Sequence, residues 1–142
     1  MNAPALQDRG VADVARTQPR RVGIVDDDVR LLRALQRLLG VSGVAAVTFD
    51  SGEAFLEAIP TPAVDCLVLD VRLGGLSGFD VHEALVMRGE SIPTIFITAH
   101  DDPAARRRAR KAGAVAYLRK PFDEDSLISA IQSALAPGRE PE

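Results

Sequence analysis

A chain of 142 residues with a formal net charge of −3 is long enough for one buried core and too short for two. That charge gives it no global attraction for nucleic acid or an anionic membrane. Its 46% hydrophobic and 26% charged residues are those of an ordinary globular domain, and the single cysteine, Cys66, excludes an intrachain disulfide framework. No stretch approaches the roughly 18 apolar residues of a membrane span or the order of a secretory signal, so a cytoplasmic protein is expected.

In chain order, residues 1–19 mix Ala, Gln, Asp, Arg and Pro without a sustained period and are read as a flexible tail. The domain is expected over 20–136, followed by a second tail over 137–142. Val22 to Val25 is the first short apolar run, and Val29 to Leu39 then places Leu31, Leu32, Leu35, Leu38 and Leu39 on one helical stripe, with Gly40 as the stop. Val44 to Phe49 is the second run. Asp50 with Glu53 resembles a capping box ahead of a helix over Ala54 to Ile59, closed by Pro60. Cys66 to Leu69 is the third run, in which Cys66 reads as a small buried hydrophobe. A helix over Phe79 to Met87, stopping at Gly89, puts His82 on the surface. The fourth run, Thr94 to Thr98, leads to a helix over Pro103 to Ala112 that stops at Gly113; the fifth, Ala114 to Leu118, leads to one over Asp123 to Leu135 whose first turn is acidic. Several runs are apolar at consecutive positions, as parallel strands covered on both faces must be. Five strands alternating with five helices predict a doubly wound parallel sheet.

In that class ligands gather beyond the carboxyl ends of the strands, at the point where strand order reverses. The polar residues at those ends are Asp26, Asp27 and Asp28 after the first strand, Asp70 after the third, Thr98 after the fourth, and Lys120 with Pro121 after the fifth. Carboxylates brought within a few ångströms repel by about 4 kcal/mol per pair at an effective dielectric near 20, so they call for a cation. An oxygen-only donor set points to Mg²⁺, which keeps several waters and is completed by phosphate oxygens. The same ion, with an ammonium and a hydroxyl donor, would neutralise a phosphoryl group in transfer to a carboxylate.

Val-Asp-Asp-Asp at 25–28, Leu-Val-Leu-Asp at 67–70, Ile-Thr-Ala-His at 97–100 and Tyr-Leu-Arg-Lys-Pro-Phe at 117–122 together resemble the receiver domain of two-component response regulators, chemotaxis- and nitrogen-fixation-regulator-like in flavour. The resemblance covers about residues 20–136. It implies a flavodoxin-like strand order 2-1-3-4-5 and a Mg²⁺-dependent phosphorylation switch. It further implies Asp70 as phosphoacceptor, Asp27 as direct Mg²⁺ ligand, Asp26 acting largely through water, and the backbone carbonyl of Arg72 completing the metal site. Thr98 would donate to a phosphoryl oxygen, Lys120 would pair with the phosphoryl group through a cis Lys120–Pro121 bond, and Tyr117 would turn inward when Thr98 moves. Asp28 would cap the first helix. Arg72 and His100 would border the approach of hydrolytic water. Leu73-Gly74 stands where the family usually carries Met-Pro, which predicts a looser loop after Asp70, while Gly78 is retained.

Taken singly, three aspartates before a helix are a cap on a solvated turn, Thr98 is a strand-end residue bonded to backbone, and Tyr117 is packing; their order along the chain is what overturns those readings. The cluster Arg106, Arg107, Arg108, Arg110 and Lys111 reads either as a solvated basic face or as a surface for an acidic partner. The partners implied are a sensor histidine kinase or histidine phosphotransfer protein, and a downstream protein met through the face of the fourth helix, fifth strand and fifth helix. A phosphorylation-dependent dimer is possible there, whereas direct nucleic-acid binding is not expected. The chain catalyses only its own phosphorylation and dephosphorylation in this reading. The alternatives are the amino-terminal receiver part of a longer DNA-binding regulator, and an aspartyl-phosphate hydrolase-type enzyme, against which Arg72 stands where such enzymes resemble Asp-x-Asp.

Overall fold

The computed structural model describes residues 20–59 and 63–136. The expected tails over 1–19 and 137–142, and Pro60 as a helix stop, lie outside the described residues. The strands are β1 (Arg21–Val25), β2 (Ala45–Phe49), β3 (Cys66–Asp70), β4 (Thr94–Thr98) and β5 (Ala116–Arg119), and the helices are α1 (Val29–Val41), α2 (Gly52–Ala58), α3 (Gly78–Met87), α4 (Pro103–Lys111) and α5 (Glu124–Leu135). The strands form one parallel sheet in the order β2-β1-β3-β4-β5.

Because successive strand residues face opposite sides, each central strand serves two cores. Val22, Ile24, Cys66, Val68, Ile95 and Ile97 face the layer of α1 and α5, where they meet Leu32, Leu35, Leu39, Leu127 and Ile131. Val25, Leu67, Leu69 and Phe96 face the other layer and meet Phe55, Phe79, Val81, Leu85 and Ala109 of α2, α3 and α4. All five residues of β3 and of β4 are buried, which is why those runs are continuously apolar. The outermost strands β2 and β5 are only half-buried over most of their length. Each fully buried Leu, Ile or Phe contributes about 1.5–3 kcal/mol, so the two layers rather than any loop hold the sheet edge that carries the polar residues.

Most element bounds shift by a residue or two from expectation, and local reasons account for the following. α1 runs through Gly40 to Val41, because the left-handed residue that ends the segment is Gly43, at φ 80°. α2 is capped by Ser51, whose hydroxyl accepts from the Ala54 amide at 3.0 Å; the Asp50–Glu53 box expected there is not its cap. β5 begins at Ala116, since its ladder to β4 starts with the pair Ile95–Ala116. Gly89 and Gly113 stand at φ 75° and 78° just past α3 and α4, as expected of stops. His82, expected on the surface, is half-buried, with its ring centroid 5.8 Å from that of Phe96, and burial lowers its pKa.

Candidate functional site

Strand order reverses between β1 and β3, and the register there pairs Val25 with Leu69. The next residues, Asp26 and Asp70, therefore leave the sheet side by side. Asp26 is fully buried; its amide donates to the Phe49 carbonyl at 3.1 Å and its Oδ1 accepts from the Asp28 amide at 2.9 Å. Asp28 in turn caps α1 through the Arg30 and Leu31 amides, as expected. Asp27, between them, is exposed. One oxygen from each of Asp26, Asp27 and Asp70 falls within 4.8 Å of the others.

Lys120 reaches this group from the far side of the sheet. Its amide donates to the Thr98 carbonyl at 2.8 Å, the Lys120–Pro121 bond is cis, and Nζ donates to Asp26 Oδ2 at 2.8 Å and to Asp70 Oδ2 at 3.1 Å. Asp70 Oδ1 accepts from the Arg72 amide at 3.2 Å. One ammonium thus faces three carboxylates. The Asp70 carboxyl is pushed up to about 6 by burial and by the charge of Asp26, against which the hydrogen bond and charge of Lys120 act only in part. Burial disfavours the Lys120 ammonium, but its bonds to Asp26 and Asp70 outweigh that and leave it above its ordinary value.

Thr98, fully buried, ends β4, and its hydroxyl accepts from the His100 amide at 3.0 Å. Among the described residues Tyr117 is not joined to the carboxylates. Its ring lies 5.1 Å below the Arg106 guanidinium, which also pairs with Asp101 at 2.5 Å, and burial and Asp101 raise its phenol. The Tyr117 hydroxyl and Asp101 Oδ1 are buried without a partner of good hydrogen-bond geometry. Asp101 was not singled out in the sequence, and Arg106 read there only as part of a basic cluster, because their contact with Tyr117 joins α4 to β5. Arg72 and His100 are exposed.

Gly78 opens α3 against the back of the acceptor strand. Its amide donates to the Val71 carbonyl at 2.9 Å, and a Cβ there would overlap the Asp70 carbonyl oxygen and lie 3.0 Å from Val71 Cα. Neither backbone atom can yield as a side chain would. Gly78→Ala should cost about 2 kcal/mol or more by forcing α3 off β3. Urea unfolding checks this, and an unchanged midpoint would show that α3 retreats freely.

A second cation fits between the carboxylates on the chemistry of the donor set alone: three hard oxygen donors converge with one ammonium to balance them. The chain that carries this acidic pocket matches the model of the response regulator receiver domain over residues 22–132. The chain belongs to that family. It is 45% identical over 112 residues to the response regulator protein TmoT of Ectopseudomonas mendocina, a match covering 79% of this chain and 51% of that protein. Against the transcriptional regulatory protein FixJ of Bradyrhizobium diazoefficiens it is 34% identical over 119 residues, covering 84% and 58%. The crystal structure of a response regulator receiver protein from Burkholderia phymatum superposes with a TM-score of 0.72 at 44% identity, covering 82% of this chain and 94% of that one. The receiver thus spans about half the length of the curated relatives it matches. Among the described residues no helix is long and apolar enough to cross a membrane.

Proposed function

We propose that this receiver takes a phosphoryl group onto Asp70 from a phosphohistidine of a sensor kinase or phosphotransfer protein. The observation that carries the reading is the Asp70 carboxylate itself, 4% exposed, held by Lys120 at 3.1 Å beside two further carboxylates. An Asp70 oxygen attacks phosphorus, a P–O bond forms, the P–N bond to the histidine breaks, and the imidazole leaves with its electron pair. Asp26, Asp27, Asp70 and the Arg72 carbonyl would hold Mg²⁺, which supplies counter-charge to the phosphoryl oxygens when bound. Asp26 suits an indirect role because both its oxygens already accept hydrogen bonds, from Asp28 and Lys120, whereas exposed Asp27 is open to a direct one.

Lys120 is placed to follow charge from the carboxylate to a phosphoryl group, and Thr98 to exchange its contact with the His100 amide for one to a phosphoryl oxygen. Switching then runs through the loop after Thr98, where Asp101 and Arg106 hold Tyr117, toward a downstream protein at the face of α4, β5 and α5. α4 carries exposed Arg107, Arg110 and Lys111, which suits an acidic partner. Its work is signalling in the cytoplasm, with turnover confined to its own acyl phosphate. The relatives are longer than this chain and include the DNA-binding transcriptional regulator NtrC of Klebsiella pneumoniae, which makes the amino-terminal receiver part of a DNA-binding regulator the second reading.

Labelling with acetyl phosphate, read by intact mass, tests the proposal. EDTA should slow labelling by about a hundredfold, since that needs the loss of only about 3 kcal/mol of counter-charge in the transition state. Asp27→Ala should raise the Mg²⁺ concentration needed by about tenfold or more. Equal rates with and without divalent metal would refute the pocket.

A further inference from the structure

Glu53 was expected to close a capping box with Asp50, and Leu73-Gly74-Gly75 was expected to be loose. Neither expectation accounts for where these residues lie. Ser51 caps α2, and the Glu53 carboxylate instead crosses to the segment between Asp70 and α3, where Oε2 accepts from the Leu76 amide at 3.2 Å. Gly75 lies against the same carboxylate so closely that a Cβ would overlap Oε2 and sit 3.1 Å from Cδ. Beside it a Cβ on Gly52 would overlap Val81 Cγ2 and lie 3.5 Å from Leu76 Cβ and 3.7 Å from Leu73 Cδ1. The start of α2 is thus seated on this segment.

Among the described residues, the segment starts with the Val71 amide donating to the Ile97 carbonyl of β4 at 2.9 Å, and its other hydrogen bonds come from its own neighbours: Arg72 to Asp70, Ser77 to Asp80, and Gly78 to Val71. Over 72–77, Glu53 supplies the hydrogen bond from another element. We infer that Glu53 is a positioning residue: its carboxylate fixes the path from Arg72 to Leu76 and so where the Arg72 carbonyl is offered to a cation. The inference rests on the reading of Asp26, Asp27, Asp70 and that carbonyl as the cation's holders. It also explains the glycine pair. A Cβ on Gly75 would push aside the carboxylate that packs on it, whereas a Cβ on Gly74 meets nothing within 4 Å. A side-chain hydrogen bond from a neighbouring helix here takes over part of what a proline's fixed φ does in the usual loop.

The test uses the full chain and two readouts. One is amide exchange at Leu76 followed by NMR without metal; the other is Mg²⁺ affinity from an NMR titration. Glu53→Ala should speed Leu76 exchange and weaken Mg²⁺ binding, each about fivefold, with the global unfolding midpoint nearly unchanged. Glu53→Gln retains an acceptor oxygen and should restore most of both. Gly75→Ala should reproduce Glu53→Ala and add little to it, while Gly74→Ala should behave as wild type. Wild-type Leu76 exchange and Mg²⁺ affinity in Glu53→Ala would overturn the inference. Glu53→Gln as damaging as Ala would also overturn it, because charge near the pocket rather than the hydrogen bond would then be at work. A wild-type chain that binds no Mg²⁺ would instead overturn the reading of the pocket, and the Leu76 exchange rates would still decide the Glu53 contact.

Discussion

Asp70→Asn is expected to reduce phosphoryl incorporation to background while leaving the fold intact. The amide is isosteric with the carboxylate, and its oxygen can still accept from Lys120 or from the Arg72 amide, so the packing of β3 is undisturbed. What it lacks is an ionised oxygen able to bond to phosphorus. A hundredfold loss corresponds to only about 3 kcal/mol of barrier, and removal of the nucleophile exceeds that readily. The competing outcome is chemical: Asp27 is an exposed carboxylate in the same pocket, and if it were the acceptor the variant would still gain one phosphoryl mass. Intact mass after acetyl phosphate, with peptide mapping of any labelled product, separates the two. Stoichiometric labelling of Asp70→Asn would end the assignment.

How far this site could be read in advance follows from how its residues are placed. Parallel strands buried on both faces show themselves as continuous apolar runs, and a doubly wound sheet has one edge at which their ends must meet. Asp26, Asp70, Thr98 and Lys120 were therefore legible as one group before any distance was known. The resemblance added what periodicity cannot carry, such as the cis bond before Pro121. Contacts between elements were not legible. Glu53 and Leu76 are 23 residues apart, and nothing in the local pattern distinguishes a carboxylate that turns back to cap its own helix from one that crosses to a loop. Arg106 read as part of a basic face, yet its pairing with Asp101 beside Tyr117 depends on how α4 packs on β5. Gly40 shows the same limit at short range: a glycine signals that a stop is near, while the position that adopts positive φ is decided three residues later at Gly43.

Lys120→Met should be the more costly change for stability, and its cost should depend on pH. In the wild type the ammonium pairs with two carboxylates that are 0% and 4% exposed, and removing one partner of a buried pair costs about 3–5 kcal/mol because the remaining charge is uncompensated. The sign follows from linkage. Asp70 has a folded pKa of about 6 against 3.8 as an ordinary carboxyl, so between those values the native state binds more protons than the unfolded chain, and stability falls as pH rises through that window. Lys120 is raised, so its contribution is fully present below its ordinary value and stays flat across the neutral range. Without Lys120, Asp70 loses the group that lowers its pKa, and the falling limb extends to higher pH. Urea unfolding in EDTA should therefore show a modest loss for Lys120→Met at pH 5, where Asp70 can take up a proton, and the full loss at pH 8. Adding Asp70→Asn should recover much of the pH 8 deficit, since the neutral amide no longer needs the ammonium. Equal losses at both pH values, or no recovery in the double variant, would mean that Lys120 contributes through Asp26 or the packing of its methylenes and that Asp70 is not the group whose charge it holds.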